Sequence, residues 1–198
     1  MFEKLWRWLR FNGLYLGRPP WDTGVSPPEL MAFLDTHEPG RSLDVGCGTG
    51  TNIRSMARKG WVVVGMDIAL IPVLRARRKL RKAKFPARVI YGDITGDMNF
   101  STAFDFILDI GCYHSLFTGG RLAYRDNIRK WLKPGGTFMI YAHQQSSQRR
   151  EHGITEQDLQ AFQEFLVLQW REDSPEKRPD GSIGRPSTWA RFLREDDL

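Results

Sequence analysis

Leu43-Asp44-Val45-Gly46-Cys47-Gly48-Thr49-Gly50 reads as a buried strand that ends in a glycine-rich turn and feeds a helix. Leu43 to Val45 is the apolar strand end, and glycines follow at positions 46, 48 and 50. Without a Cβ the backbone can turn sharply there, and a ligand can come directly against the main chain. Thr51 to Lys59 has a helical pattern. The first N–H groups of such a helix have no intrahelical acceptor and face the same space.

Working outward, a second apolar run, Trp61 to Met66, ends at Asp67, 17 residues beyond Gly50. An acid at that place can accept hydrogen bonds from both hydroxyls of a ribose. These features imply a ligand that carries a nucleoside. NAD, FAD, a nucleotide and S-adenosylmethionine all satisfy that description. The dinucleotide fingerprint G-x-G-x-x-G, counted from Gly46, needs glycine at 51, where this chain has Thr51. A phosphate-binding loop needs a lysine followed by Ser or Thr after its second glycine, and none follows here. No pyrophosphate-specific feature is present.

From Arg41 onward, apolar runs alternate with helical stretches. Strands are predicted at Ser42–Val45, Val62–Met66, Ala87–Tyr91, Phe104–Asp109 and Thr137–Ala142, with helices near Thr51–Lys59, Ile71–Lys84 and Gly120–Leu132. This rhythm argues for an α/β fold with a parallel sheet and helices on both faces. Lys133-Pro134-Gly135-Gly136 reads as a helix stop and turn. A helix over Thr155 to Phe165 has Thr155 as its cap and Asp158 at its third position. Phe165–Arg171 and Ser187–Leu193 read as a final antiparallel pair, joined by the turn-rich Asp173–Gly184.

Before the glycine turn, Met1 to Leu16 reads as an aromatic, basic helix. Phe2, Leu5, Trp6 and Leu9 fall at helical spacing, with Lys4, Arg7 and Arg10 between them. Such a helix buries its apolar face on the flank of a domain. An interfacial helix or a lid over a site is the other reading. Gly17 to Pro28 is an extended crossing in which Ser26 can cap the helix Pro28–Thr36, and Trp21 and Asp22 sit where a crossing can cover a pocket. On the predicted helix Ile71–Lys84, which carries the basic stretch Arg75–Lys84, the residues Val73, Leu74, Arg77 and Leu80 make an inward stripe and leave a solvated basic outer face.

Leu43–Gly50, Asp67, Tyr91-Gly92-Asp93-Ile94 and Leu132-Lys133-Pro134-Gly135-Gly136, in this order and spacing, resemble the class I S-adenosylmethionine-dependent methyltransferases from about Arg41 to Ala142. Pro20-Trp21-Asp22-Thr23-Gly24 and Asp109-Ile110-Gly111-Cys112-Tyr113-His114 are similar to small bacterial methyltransferases of the thiopurine, thiol and tellurite-resistance type. The resemblance implies a Rossmann-like, seven-stranded, mostly parallel sheet of order 3-2-1-4-5-7-6 and S-adenosyl-L-methionine as cofactor. It implies that Gly46, Cys47, Gly48 and Gly50 form the cofactor turn and that Asp44 helps fix the amino group. Asp67 would take the ribose hydroxyls, with Ile68 packed on one adenine face. Asp93 would accept from the adenine amino group with Ile94 beside it, and the backbone around Asp109 and Ile110 would complete the site near the methyl. Transfer would be an in-line displacement, needing a general base only where the acceptor carries a proton. Candidates for that work are Asp109, Tyr113 and His114, with Tyr141 and His143 after the fifth strand. Trp21, Asp22, Tyr113, His114 and His143 are the expected acceptor side. A nucleophilic cysteine after strand four would stand in a Pro-Cys pair, whereas this chain has Gly111-Cys112.

The chain's 198 residues suit one methyltransferase domain, with 1–36 as an N-terminal cap or lid over a core at 37–198. A 41% hydrophobic and 26% charged composition belongs to a soluble globular protein. The two cysteines, Cys47 and Cys112, make neither a disulfide framework nor a metal-ligand set, so no metal is expected. No cleavable signal pattern or apolar run of about 20 residues is present, which predicts a cytoplasmic protein. Net charge of +6 permits weak attraction to anions without requiring it. A small-molecule acceptor is expected, since this length leaves no room for an added RNA- or protein-binding domain. A nucleic-acid methyltransferase drawing on Arg75–Lys84 is one alternative. A catalytically inactive, cofactor-binding regulatory protein is the other.

Overall fold

The computed structural model describes residues 2–83, 85–145, 152–177 and 183–195. In chain order these form α1 (Phe2–Leu14), α2 (Pro28–Thr36), β1 (Arg41–Val45), α3 (Thr51–Arg58), β2 (Val62–Asp67), α4 (Leu70–Ala83) and β3 (Ala87–Tyr91). There follow β4 (Phe104–Ile110), a 3-10 turn (Tyr113–Ser115), α5 (Thr118–Trp131), β5 (Leu132–His143), α6 (Glu156–Gln163), β6 (Val167–Lys177) and β7 (Ile183–Leu193). The strands make a seven-stranded sheet of order β3-β2-β1-β4-β5-β7-β6. Strands β1, β2 and β3 pair in parallel, as do β4 and β5, and β7 runs antiparallel to both β5 and β6. This is the Rossmann-like order that the sequence motifs imply. The chain divides into two compact units, residues 1–96 and 97–198.

In the first unit, Leu43, Val45, Val63, Val64 and Met66 are buried. That burial explains why these strands read as continuous apolar runs. Val45 pairs with Met66, so the residues after both strands emerge side by side. The Met66 carbonyl accepts from the N–H groups of Gly46 (2.8 Å) and Cys47 (3.0 Å), pinning the glycine turn to the end of β2. Helix α3 lies close on β2 because position 65 is glycine. A Cβ there would stand 2.3 Å from Ile53 Cδ1 and 2.9 Å from Cys47 Sγ. Helix α4 turns Pro72, Val73, Ala76 and Leu80 inward, whereas Leu74 is exposed. The predicted stripe is corrected at Leu74 and Arg77, both of which are exposed. Positions 73, 76 and 80 follow the helical period, and 74 lies about 100° round from 73.

Helix α1 departs most from expectation. Leu5, Trp6 and Leu9 face solvent, while Arg7 and Asn12 are buried. Polar partners draw the polar side inward. Arg7 binds both oxygens of Asp93 (3.1 and 2.9 Å), and Asn12 Oδ1 accepts from the Ile71 N–H (3.0 Å). Ser26 does not cap α2. Its hydroxyl donates to Ser55 Oγ (2.8 Å), and the cap position is Pro27, in extended backbone.

In the second unit, Phe104, Phe106, Ile107 and Leu108 of β4 are buried, and Tyr113, Tyr124, Phe138, Phe162 and Phe192 form an aromatic layer. The Lys133–Gly136 stretch does end α5, but it lies inside β5. The β4–β5 register steps from Phe104 opposite Leu132 to Phe106 opposite Thr137, and Gly135 takes φ +72°. The stretch is thus a bulge, fastened by Gly135 N–H to the Arg194 carbonyl (2.7 Å) and Arg194 N–H to that of Gly136 (2.9 Å). Much of the predicted Asp173–Gly184 link is strand, because β6 runs to Lys177 and β7 starts at Ile183. The rest of the link lies outside the described residues. Thr155 and Asp158 make the expected capping box at the start of α6.

Candidate active site

The glycine turn of the first unit is built around Asp67. Its Oδ2 accepts from the Gly48 N–H (2.9 Å) and its Oδ1 from the Ala69 N–H (2.8 Å). A carboxylate offers about four lone-pair sites, so each oxygen can take a second donor, such as one hydroxyl of a ribose diol. Burial pushes the Asp67 pKa up to about 6, against the pull of those two N–H groups. Gly46, Gly48 and Gly50 take φ of +70°, +53° and +82°, left-handed backbone that glycine adopts freely and that makes the expected sharp turn. The Cys47 sulfur is buried and turned inward toward Gly65. Asp44 and Ile94 are buried, and Ile68 is half-buried.

The N-terminal segment rests on this turn. Tyr15 is buried, with its hydroxyl 2.7 Å from where a Cβ on Gly48 would stand. That hydroxyl accepts from the Trp21 indole N–H (3.1 Å). Burial and the neighbouring Asp67 charge raise the Tyr15 pKa well above the usual phenol range. The Thr49 hydroxyl donates to Asp22 Oδ1 (2.7 Å) and accepts from Lys79 Nζ (2.8 Å). Burial lowers the Lys79 pKa. Asp93 accepts from Arg7 and, through Oδ1, from both the N–H and the hydroxyl of Thr95. Its carboxylate therefore anchors α1 as well as marking the end of β3.

In the second unit, Asp109 closes β4. It is fully buried and accepts from the N–H groups of Cys112 (2.7 Å) and Tyr113 (2.9 Å) and from the Tyr124 hydroxyl (2.6 Å). Burial pushes its pKa up to about 7 despite these donors. Tyr113 is equally buried. Its hydroxyl donates to Asp158 Oδ1 (2.7 Å), and Arg121, which also binds Asp158, lies over its ring. Asp109 and Tyr113, expected among the acid–base candidates, are both held by these internal hydrogen bonds. The Asp109 carboxylate holds the turn after β4, and the Tyr113 hydroxyl ties that turn to α6. His114 and His143 are half-buried, with rings 4.7 Å apart. The His143 N–H donates to His114 Nδ1 (3.1 Å), which places the proton of the neutral His114 ring on Nε2. Tyr141 is also half-buried, beside His143 and Trp189. Among the described residues, no group of three or more His, Cys, Asp or Glu could hold a metal ion.

Residues 43–136 match the family described as Methyltransferase domain. An uncharacterized methyltransferase of Schizosaccharomyces pombe is 35% identical over 108 residues, covering 54% of this chain and 74% of that protein. The chain belongs to the class I S-adenosylmethionine-dependent methyltransferases. A probable thiol methyltransferase of Arabidopsis thaliana is 33% identical over 128 residues, covering 62% of this chain. This chain spans only 56% of that protein's length. A Burkholderia thailandensis 1,6-didemethyltoxoflavin-N1-methyltransferase, solved with its acceptor and S-adenosylhomocysteine, superposes with a TM-score of 0.78 at 21% identity, over 95% of this chain and 87% of that one.

For a methyltransferase, the turn has the parts its cofactor requires: left-handed backbone without side chains, and a carboxylate that keeps acceptor capacity. The sequence reading missed Tyr15, Thr49 and Lys79. Thr49 stood within the turn itself, and Tyr15 lay one residue past α1, but no spacing rule connects either to the residues it touches.

The packing of Tyr15 on the turn gives a direct expectation. Gly48→Ala combines a left-handed strain of roughly 1–2 kcal/mol with a contact on the Tyr15 oxygen. The thermal midpoint should fall by about 2–8 °C in calorimetry. Adding Tyr15→Phe should recover part of the loss. Equal midpoints in Gly48→Ala and wild type would rule out this packing.

Proposed function

We propose that this methyltransferase alkylates a small, readily ionised sulfur nucleophile by in-line displacement. S-adenosylmethionine supplies an activated sulfonium methyl group, so the chain's own work is to bind, orient and exclude water. On this reading Asp67 holds the ribose hydroxyls, and the main chain at Gly46, Gly48 and Gly50 admits the rest of the cofactor. Asp44 fixes its amino group and Ile68 packs on the adenine, with Asp93 and Ile94 at the adenine edge. Tyr15, Trp21 and Asp22 keep water from the turn. His114 and His143 are the acceptor-side groups of the second unit, with the proton of the neutral His114 ring on Nε2.

One observation carries the choice of acceptor. Of the candidate bases, the three at the exit of the fourth strand, Asp109, Tyr113 and His114 Nδ1, are each engaged by other groups of the chain. An acceptor that ionises unaided needs no such base, and a thiol of pKa about 8.5 is already a few per cent thiolate at pH 7. The likeness to a thiol methyltransferase supports the same choice.

The test is S-adenosylhomocysteine release with a series of thiols of graded pKa. The rate should rise with pH along each thiol's own ionisation. A profile centred at one pH for every thiol would place a base on the enzyme. Tight cofactor binding without turnover on any thiol, halide, phenol or amine would instead favour a regulatory role.

A further inference from the structure

Helix α1 shows solvent the face that an ordinary surface helix buries. Leu5, Trp6 and Leu9 are 54%, 44% and 56% exposed, while Arg7 is 3% exposed. The end of α1 meets the start of α4 through Asn12 and the Ile71 N–H, and Arg75 reaches the Gly17 carbonyl (3.1 Å). There α4 adds Leu70 and Leu74, also exposed. Along α4 the basic residues Arg75, Arg77, Arg78, Lys79, Arg81 and Lys82 occur without a single acid. On α1, Lys4 and Arg10 are exposed, and the Arg10 guanidinium lies 5.1 Å from the centre of the Trp6 ring.

We propose that α1 and the exposed face of α4 dock on an anionic lipid surface. A bilayer interface takes leucine side chains and an indole into its acyl boundary while its acidic headgroups meet Lys and Arg. A nucleic acid would satisfy the charge but leave the leucines in water. The contact is peripheral, since no helix among the described residues is long and apolar enough to cross a membrane. The face is built, because the buried Arg7–Asp93 pair and the Asn12 contact fix which side of α1 looks outward.

The experiment is vesicle flotation of the full chain, comparing phosphatidylcholine with phosphatidylcholine carrying about 30% phosphatidylglycerol at low salt. Binding should require the anionic lipid and bring a blue shift of tryptophan emission. Leu5→Ser/Leu9→Ser should abolish it with an unchanged thermal midpoint. Arg78→Glu/Arg81→Glu should weaken it at least 25-fold, about fivefold for each charge removed. Three results would each overturn the proposal: no flotation with either lipid, equal flotation with both, or a dimer by light scattering that Leu5→Ser/Leu9→Ser dissolves. Salt-dependent RNA binding that the serine variant retains, without lipid binding, would also overturn it.

Discussion

Asp67→Ala is expected to weaken S-adenosylhomocysteine binding at least about 100-fold, because each hydrogen bond to a charged acceptor contributes roughly 1.5–3 kcal/mol and a ribose offers two hydroxyls. The same substitution frees the Gly48 and Ala69 N–H groups, so the turn loosens as well. Asp67→Asn keeps one acceptor oxygen and should fall between alanine and wild type. Titration calorimetry reads both, and unchanged affinity in the alanine variant would remove Asp67 from the site. The carboxylate also predicts two opposed effects of pH. Burial raises its pKa to about 6, so ribose binding, which uses the ionised form, should weaken as pH falls through 6. Folding stability should move the other way. The folded state takes up this proton below about 6, whereas the unfolded chain does so only near its ordinary value of 3.8. Between those values the native state binds more protons, so this group's contribution to stability rises as the solution is acidified. Both dependences should vanish in Asp67→Ala.

Arg7→Met is expected to cost about 3–5 kcal/mol of stability, since it leaves the buried Asp93 carboxylate without its cation. For a chain of this size the thermal midpoint should fall by roughly 10 °C. The double variant Arg7→Met/Asp93→Asn should recover most of the loss. It removes the stranded charge while the amide oxygen still accepts from Thr95. A loss below about 1 kcal/mol in Arg7→Met would mean that α1 is held by other contacts. A large loss with no recovery in the double variant would place the cost in the packing of the Arg7 stem rather than in charge.

Much of this was legible in the chain because its causes are local. Gly46 to Gly50 and Asp67 could be placed from sequence, since a left-handed turn needs glycine and the parallel pairing of β1 with β2 brings the ends of adjacent strands together. The β5 bulge was half-legible. Gly135 marked a turn, but that the turn lies within a strand depends on Arg194, far along the chain. Asp109 and Tyr113 are acid–base candidates by sequence because they stand at the exit of the fourth strand. Their partners, Tyr124 and Asp158, stand 15 and 45 residues away, and only packing reveals that those side chains are spoken for.

Sequence alone therefore determined the alternation of strands and helices, the glycine turn and the acid beside it. These rest on backbone sterics and on hydrogen bonds between groups whose spacing is fixed by the elements that carry them. The tertiary structure alone decided which way α1 faces. Its apolar stripe predicted burial of Leu5, Trp6 and Leu9, yet Arg7 finds Asp93 86 residues away and turns the helix over. A charge can be buried only where its counter-charge waits, and no local pattern contains that partner.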